Sequence, residues 1–282
     1  MGDHGRPLLF GYFLEPVAAE APALLAAARR ADELGLDLIG IQDHPYQRRF
    51  LDTWTLLSAI GAQTSRIRLF PDVASLPLRH PAMLAKAVAS LDVLTDGRVE
   101  LGLGAGAFWD PIAAMGFDRR TPGEAVSALE EAIDVIRLWW SDASSVRYDG
   151  RFYPQTGPKP GPRPAHDAGI WLGAYGPRML DLVGRKADGW LPSLGMVGIE
   201  KLGQASAAID SAARDAGRDP GSIERITNLP GEAPGGDWVG LLTELAVEHG
   251  INGFVFGGGP DVLERVADEI APAVRESVAA AR

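Results

Sequence analysis

Residues 91–106 read Leu-Asp-Val-Leu-Thr-Asp-Gly-Arg-Val-Glu-Leu-Gly-Leu-Gly-Ala-Gly. The run begins as the end of a helix that starts at His80. It turns at Thr95-Asp96-Gly97 and leaves as an apolar strand, Val99–Gly104. Thr-Asp-Gly is a turn signal, and helices alternating with short apolar runs imply parallel strands joined by helical crossovers. The same unit recurs outward in both directions. Towards the N-terminus lie strand Ile67–Ala74 before the His80–Leu94 helix, strand Leu38–Gln42 before a helix from Asp52 to Gln63, and strand Leu8–Phe13 before helix Ala19–Leu34. Asp52 suits an N-cap, and Gly35 closes the first helix. Towards the C-terminus come helix Pro122–Trp140, then strand Ile170–Ala174 with Pro177–Lys186, Gly189–Leu191 with Ile199–Ala216, Ile223–Asn228 with Trp238–His249, and Gly253–Phe256 with Asp261–Val278.

Eight strand–helix units without a break in composition predict one (β/α)8 TIM barrel over 1–282, of the α/β class. The competing arrangement is a doubly wound sheet, which the count of eight disfavours. Residues 141–169 are rich in Gly and Pro and predict an insertion after the fourth unit. It should carry a short hairpin, Val146–Tyr148 against Arg151–Tyr153 around Asp149-Gly150.

The formal net charge of −10 gives no electrostatic footprint for nucleic acid or an anionic membrane. Anionic ligands must therefore be held by a local device such as a helix N-terminus. With no cysteine, disulfides and thiolate chemistry are excluded. The five histidines (His4, His44, His80, His166, His249) lack the spacing of a zinc site, so no metal is expected. The start of the chain has no signal-peptide pattern, and no run reaches the ~18 apolar residues of a membrane span. A cytoplasmic location is expected.

In such a barrel chemistry belongs at the C-terminal strand ends. Strand 1 ends near Glu15, and strand 2 runs into Asp43-His44-Pro45-Tyr46. His44 can move a proton near neutral pH and is the candidate catalytic residue; a loop-capping histidine is the alternative. Strand 3 ends at Asp72-Val73-Ala74-Ser75, and strand 4 at Gly104-Ala105-Gly106. The small residues after strand 4 lack the spacing of a phosphate loop and suit close approach of a flat ring. Strand 5 ends at Ala174-Tyr175-Gly176-Pro177-Arg178, where amides of Arg178 and Met179 and the Arg178 side chain would make a phosphate pocket. An ordinary Gly-Pro helix start is the alternative. Tyr46, Phe108, Trp109 and Asp110, with Glu15, are candidates for a substrate pocket.

Arg79-His80-Pro81-Ala82 with Leu91–Gly106, and Gly173–Leu180 with Ala187-Asp188-Gly189-Trp190, resemble the luciferase-like monooxygenase superfamily. That superfamily is a TIM barrel using FMN or the deazaflavin F420. The resemblance implies an oxidoreductase. It assigns Asp43 and His44 to cofactor contact and proton handling, and Asp72, Val73, Ala74 and Ser75 to a bulge behind the ring, often with a non-prolyl cis peptide. It assigns Gly176, Pro177 and Arg178 to phosphate. The Asp-His pair, Gly-Pro-Arg-Met-Leu and Asp-Gly-Trp favour F420 and hydride transfer to or from a small organic substrate. The alternative is a monooxygenase using reduced FMN and O2 through flavin hydroperoxide chemistry. A separate cofactor reductase and a homodimer are implied as partners. Sugar-phosphate dehydrogenases of the family carry Pro-Trp after the Asp-His and a Glu after strand 4. Here the corresponding stretches are Pro45-Tyr46 and Phe108-Trp109-Asp110, so the resemblance does not extend to a sugar-phosphate substrate. A cofactor-free barrel binding protein or hydrolase would need a metal or nucleophile constellation, which the sequence lacks.

Overall fold

Short apolar runs buried on both faces form parallel strands, because only helical crossovers can cover them. The computed structural model describes residues 3–230 and 236–282. Its first half runs β1 (Leu9–Leu14), α1 (Ala21–Glu33), β2 (Leu38–Ile41), α2 (Thr53–Gly61), β3 (Arg68–Pro71), β4 (Ala74–Ser75), α3 (Pro81–Leu94), β5 (Leu101–Gly104), α4 (Trp109–Ala114) and α5 (Pro122–Trp139). The second half runs β6 (Arg147–Tyr148), β7 (Gln155–Thr156), β8 (Ile170–Leu172), α6 (Pro177–Lys186), β9 (Gly189–Trp190), α7 (Leu194–Val197), α8 (Ile199–Asp215), β10 (Glu224–Leu229), α9 (Trp238–Val247), β11 (Gly253–Phe256), α10 (Pro260–Arg265) and α11 (Ala271–Ala281).

The parallel strands follow the order β3-β2-β1-β11-β10-β9-β8-β5-β4. The ring closes where Leu69 of β3 bridges Val99, with Leu69 N–H on the Arg98 carbonyl (2.8 Å) and Glu100 N–H on the Leu69 carbonyl (3.0 Å). β3 and β4 are therefore two halves of one interrupted stave, and the barrel has the eight expected staves. First and last staves pair directly, Leu9 to Gly253 through Tyr12 to Phe256.

Inside the ring Leu38, Phe70, Trp171, Leu191, Ile226 and Val255 form the packed lumen, with Phe70 and Trp171 edge to face at 5.2 Å. The larger core lies between the staves and the helices. Arg98 fastens the N-terminal end of the barrel by donating to the carbonyls of Gly61, Thr64, Thr95 and Ile67. Asp52 caps α2 through the Thr55 amide (2.9 Å), and the His80 ring caps α3 through the Ala82 amide (3.2 Å).

The hairpin differs from expectation. Its second strand is Gln155–Thr156, with Tyr148 opposite Gln155, and 149–154 form the connecting loop. The cause lies on α5: the Glu131 carboxylate accepts from the amides of Arg151 (3.0 Å), Phe152 (2.8 Å) and Tyr153 (3.2 Å), and so draws that stretch onto the helix. Helix α4 occupies part of what reads as a loop, and the final predicted helix is interrupted by a π turn at Val266–Ile270. No helix among the described residues is long and apolar enough to cross a membrane.

Candidate active site

The interruption of the third stave builds the floor of the site. The Asp72–Val73 peptide bond is cis. Val73 turns towards the lumen, into space left by glycines of two neighbouring staves. A Cβ on Gly104 would stand 2.8 Å from a Val73 methyl, and one on Gly173 would stand 3.3 Å away. Asp72 points across the barrel to β10, where Asn228 Nδ2 donates to its Oδ1 (3.1 Å). Gly40 makes room for it, since a Cβ there would lie 3.1 Å from Asp72 Oδ2. Among the described residues, Asp72 Oδ2 and Asn228 Oδ1 are buried without a hydrogen-bond partner. Burial pushes the Asp72 carboxyl up to about 6, against the opposing effect of the Asn228 bond.

One wall comes from the loop after β2. Asp43 is fully buried, and Arg79 grips it with two hydrogen bonds of 3.1 Å; the Ser75 amide donates to the same carboxylate (3.1 Å). Arg79 also reaches Asp52 (2.6 Å), so one guanidinium ties the ends of β2 and β4 to the starts of α2 and α3. His44 stands next along the chain. Its Nδ1 meets the Tyr46 hydroxyl at 2.5 Å, and Phe108 packs edge-on at 5.4 Å between ring centroids. Nε2 has no partner among the described residues and is left for a ligand. Burial lowers the His44 pKa against the pull of Asp43, so the ring is neutral at neutral pH. Burial, with Asp43 adding, pushes the Tyr46 hydroxyl up to about 12.

These walls enclose a cavity of about 530 Å³, within the roughly 300–1,000 Å³ usual for small-molecule sites. The structure brings most sequence-predicted residues to it: Asp43, His44, Tyr46, Asp72, Val73, Ala74, Ser75, Gly104, Gly106, Phe108, Trp109, Tyr175 and Gly176. Other predicted residues lie elsewhere. Glu15 sits behind the His44–Tyr46–Phe108 wall, paired with Arg49 at 2.5 Å. Asp110 is on the outer surface, paired with Arg119. Ala174 is buried, its carbonyl accepting from Trp190 Nε1 (2.9 Å). Pro177 and Arg178 open α6 beside the mouth, without lining the cavity. The Arg178 side chain lies over α5, at 3.4 Å from the Gly123 carbonyl and Ser127 Oγ. The Met179 amide, expected to be free for an anion, donates back to Gly176 (2.9 Å). Asn228, Leu191, Ser193 and Val126 line the cavity without having been singled out. Asn228 sits at a C-terminal strand end, where the rule that located the other residues also applies.

A profile described as luciferase-like monooxygenase matches residues 9–230. The chain belongs to the luciferase-like monooxygenase family. Within it, the F420-dependent glucose-6-phosphate dehydrogenase of Kribbella flavida is 31% identical over 215 residues, covering 73% of this chain and 63% of that protein. The phthiodiolone/phenolphthiodiolone dimycocerosates ketoreductase of Mycobacterium tuberculosis is 37% identical over 180 residues, covering 61% and 45%. The chain thus spans about half to two thirds of the length of these curated relatives. The coenzyme F420-dependent tetrahydromethanopterin reductase of Methanopyrus kandleri superposes with a TM-score of 0.78 over 95% of this chain and 99% of that one, at 19% identity. That likeness establishes the shared barrel for this luciferase-like protein.

Proposed function

We propose that this chain is an oxidoreductase that holds F420 in the barrel cavity and moves a hydride between it and a small, largely apolar organic substrate. The observation that carries the proposal is His44. It is a neutral imidazole at the cavity wall, with Nδ1 fixed by Tyr46 and Nε2 left open. Such a group accepts or returns the proton of a substrate hydroxyl or carbonyl at neutral pH.

The residues present fit a flat tricyclic ring. Val73 would back it, and Gly104 and Gly173 clear the space beside it. When bound, a deazaflavin supplies a two-electron hydride acceptor or donor. The protein's part is to orient the ring, exclude water with Phe108, Trp109 and Met179, and hold the proton at His44. The names of the F420-dependent relatives support the cofactor assignment. Their sugar phosphate does not carry over, because none of the lining residues is Lys or Arg.

Equilibrium titration with F420 and FMN tests the reading. Micromolar F420 binding is expected, and binding of neither cofactor refutes it. Binding of reduced FMN alone, with O2 consumption, would instead favour the monooxygenase. His44→Asn should lower turnover by roughly 10²–10⁴ while cofactor affinity stays within a few-fold; unchanged turnover removes His44 from proton transfer.

A further inference from the structure

His44 lines a second cavity besides the main one. Its volume is about 350 Å³, and His44, Tyr46 and Phe108 line both, so the two are divided by a single aromatic wall. The other lining residues of the second cavity are Glu15, Gln42, Gln47, Arg49 and Phe50. Backbone bonds between the loops after β1 and β2 fix its frame. The Ala18 amide donates to the Arg49 carbonyl (2.8 Å), and the Leu51 amide donates to the Pro16 carbonyl (2.8 Å). A concavity held in this way is formed before any ligand arrives.

Its chemistry differs from that of the main cavity. Glu15 and Arg49 hold each other at 2.5 Å, so their charges cancel. The side-chain amides of Gln42 and Gln47 make no hydrogen bond to protein among the described residues. Each offers donors and an acceptor. An uncharged group that both donates and accepts, such as a carboxamide or a hydroxyl, matches them. A carboxylate would meet Glu15, and a cation would meet Arg49. The wall has one loosely held member. His44 and Tyr46 are tied to each other through Nδ1 and the hydroxyl. Phe108 has no polar handle. It meets them through its ring, at 5.4 and 6.2 Å between centroids, and is 56% exposed. Exposed side chains change rotamer within nanoseconds.

The geometry points to the second cavity as a substrate compartment. It takes the uncharged hydrogen-bonding tail of a ketone or secondary alcohol whose reacting carbon lies at His44. Phe108 is the partition that sets how much of the tail is admitted. This rests on the proposed proton transfer at His44 and adds the class of substrate. The reach required is short. Gln42 is two residues from His44, which is at most about 7 Å between Cα atoms.

The probes are 6-oxoheptanamide, its apolar isostere 7-methyloctan-2-one, the carboxylate 6-oxoheptanoate, and butanone, which has no tail. Affinities for the F420-saturated protein and for the protein alone are read by ligand-observed NMR titration. The amide should bind about tenfold tighter than the isostere or the carboxylate. Replacing both Gln42→Leu and Gln47→Leu should bring amide and isostere to within about twofold. Phe108→Ala should raise the affinity for the amide relative to butanone by about threefold or more, and Phe108→Trp should lower it. Equal wild-type affinities for amide and isostere, or no binding of the amide at millimolar concentration, overturn the compartment. So does a preference that survives the double substitution, or a carboxylate that binds tighter than the amide. An amide-to-butanone ratio unmoved in both Phe108 variants overturns the partition. If F420 does not bind while the protein alone still selects the amide, the cofactor assignment falls and the compartment stands. The wild-type comparison decides the matter even where a variant does not fold.

Discussion

The raised titration of Asp72 makes a prediction about stability that needs no ligand. In the unfolded chain the carboxyl ionises near 3.8, and in the folded barrel it ionises near 6. Below the lower value both states carry the proton and the site neither adds nor removes pH-dependent stability. Between the two values the unfolded chain ionises and the folded one resists. Above the folded value the full penalty is in place. Each unit is worth about 1.4 kcal/mol, so wild type forgoes up to about 3 kcal/mol at pH 8 relative to pH 4 through this one group. Asp72→Asn removes the charge and keeps an acceptor for Asn228 Nδ2. The variant should be more stable than wild type by up to about 3 kcal/mol at pH 8, a Tm gain of very roughly 5 °C for a chain of this size, and nearly equal to it at pH 4. Urea denaturation of the apoproteins at several pH values measures the difference. A gap that does not change with pH, or a variant less stable than wild type at pH 8, refutes the argument.

Other predictions test the frame around the site. Arg79→Ala leaves Asp43 buried without its cation and should cost about 3 kcal/mol, read by thermal or urea unfolding; Arg79→Lys should rescue only part, since one ammonium cannot reproduce the two-pronged grip. His166 is held by Asp92 and Glu100, chiefly through the Asp92 hydrogen bond, and its pKa is raised to about 10. Its contribution is therefore complete below about pH 6.5 and lost as pH rises through about 10. Discounted for its 30% exposure, that loss is about 2 kcal/mol, and it should be absent in His166→Gln. A Cβ on Gly102 would lie 2.0 Å from the Pro71 carbonyl oxygen, whereas one on Gly104 meets only a Val73 methyl at 2.8 Å. Gly102→Ala should abolish soluble folding. Gly104→Ala should fold with a loss of about 1–3 kcal/mol and weaken F420 binding, as followed by fluorescence.

The staves were legible because parallel strands buried on both faces must be apolar throughout, and β2 is buried at every position. Their C-terminal ends then located His44, Asp72 and Gly104 without any contact information. What stayed hidden depends on partners distant in the chain. Arg79 lies 36 residues from the Asp43 it grips. Arg178 opens a helix as expected, yet its side chain turns to α5, a neighbour that only the closed ring supplies. Asp149-Gly150 has the composition of a two-residue turn, but Glu131 supplies three acceptor contacts that a local reading of the hairpin cannot contain. Asn228 looked like one polar residue closing a strand, and its meaning depends on facing Asp72 across the lumen, 156 residues away in sequence.

The cavity is itself written in the strands, as a change of residue size over one period of two. Inward positions pass from Leu38 to Gly40, from Phe70 to Asp72, from Trp171 to Gly173, and from Ile226 to Asn228. The lower residues pack the lumen; the upper ones give up volume or bring in polar atoms. For stability alone this is the wrong order. Apolar side chains at Asp72 and Asn228 would leave no unmatched oxygen, whereas Gly40 has no room for one, since a Cβ there would lie 2.8 Å from Phe70 Cζ. The change falls on four separate staves, and three of its residues, Asp72, Gly173 and Asn228, line the cavity with His44 and Val73. A single small residue can be accommodated by chance packing. The same change on β2, β3, β8 and β10 ends the packed lumen where the cavity begins.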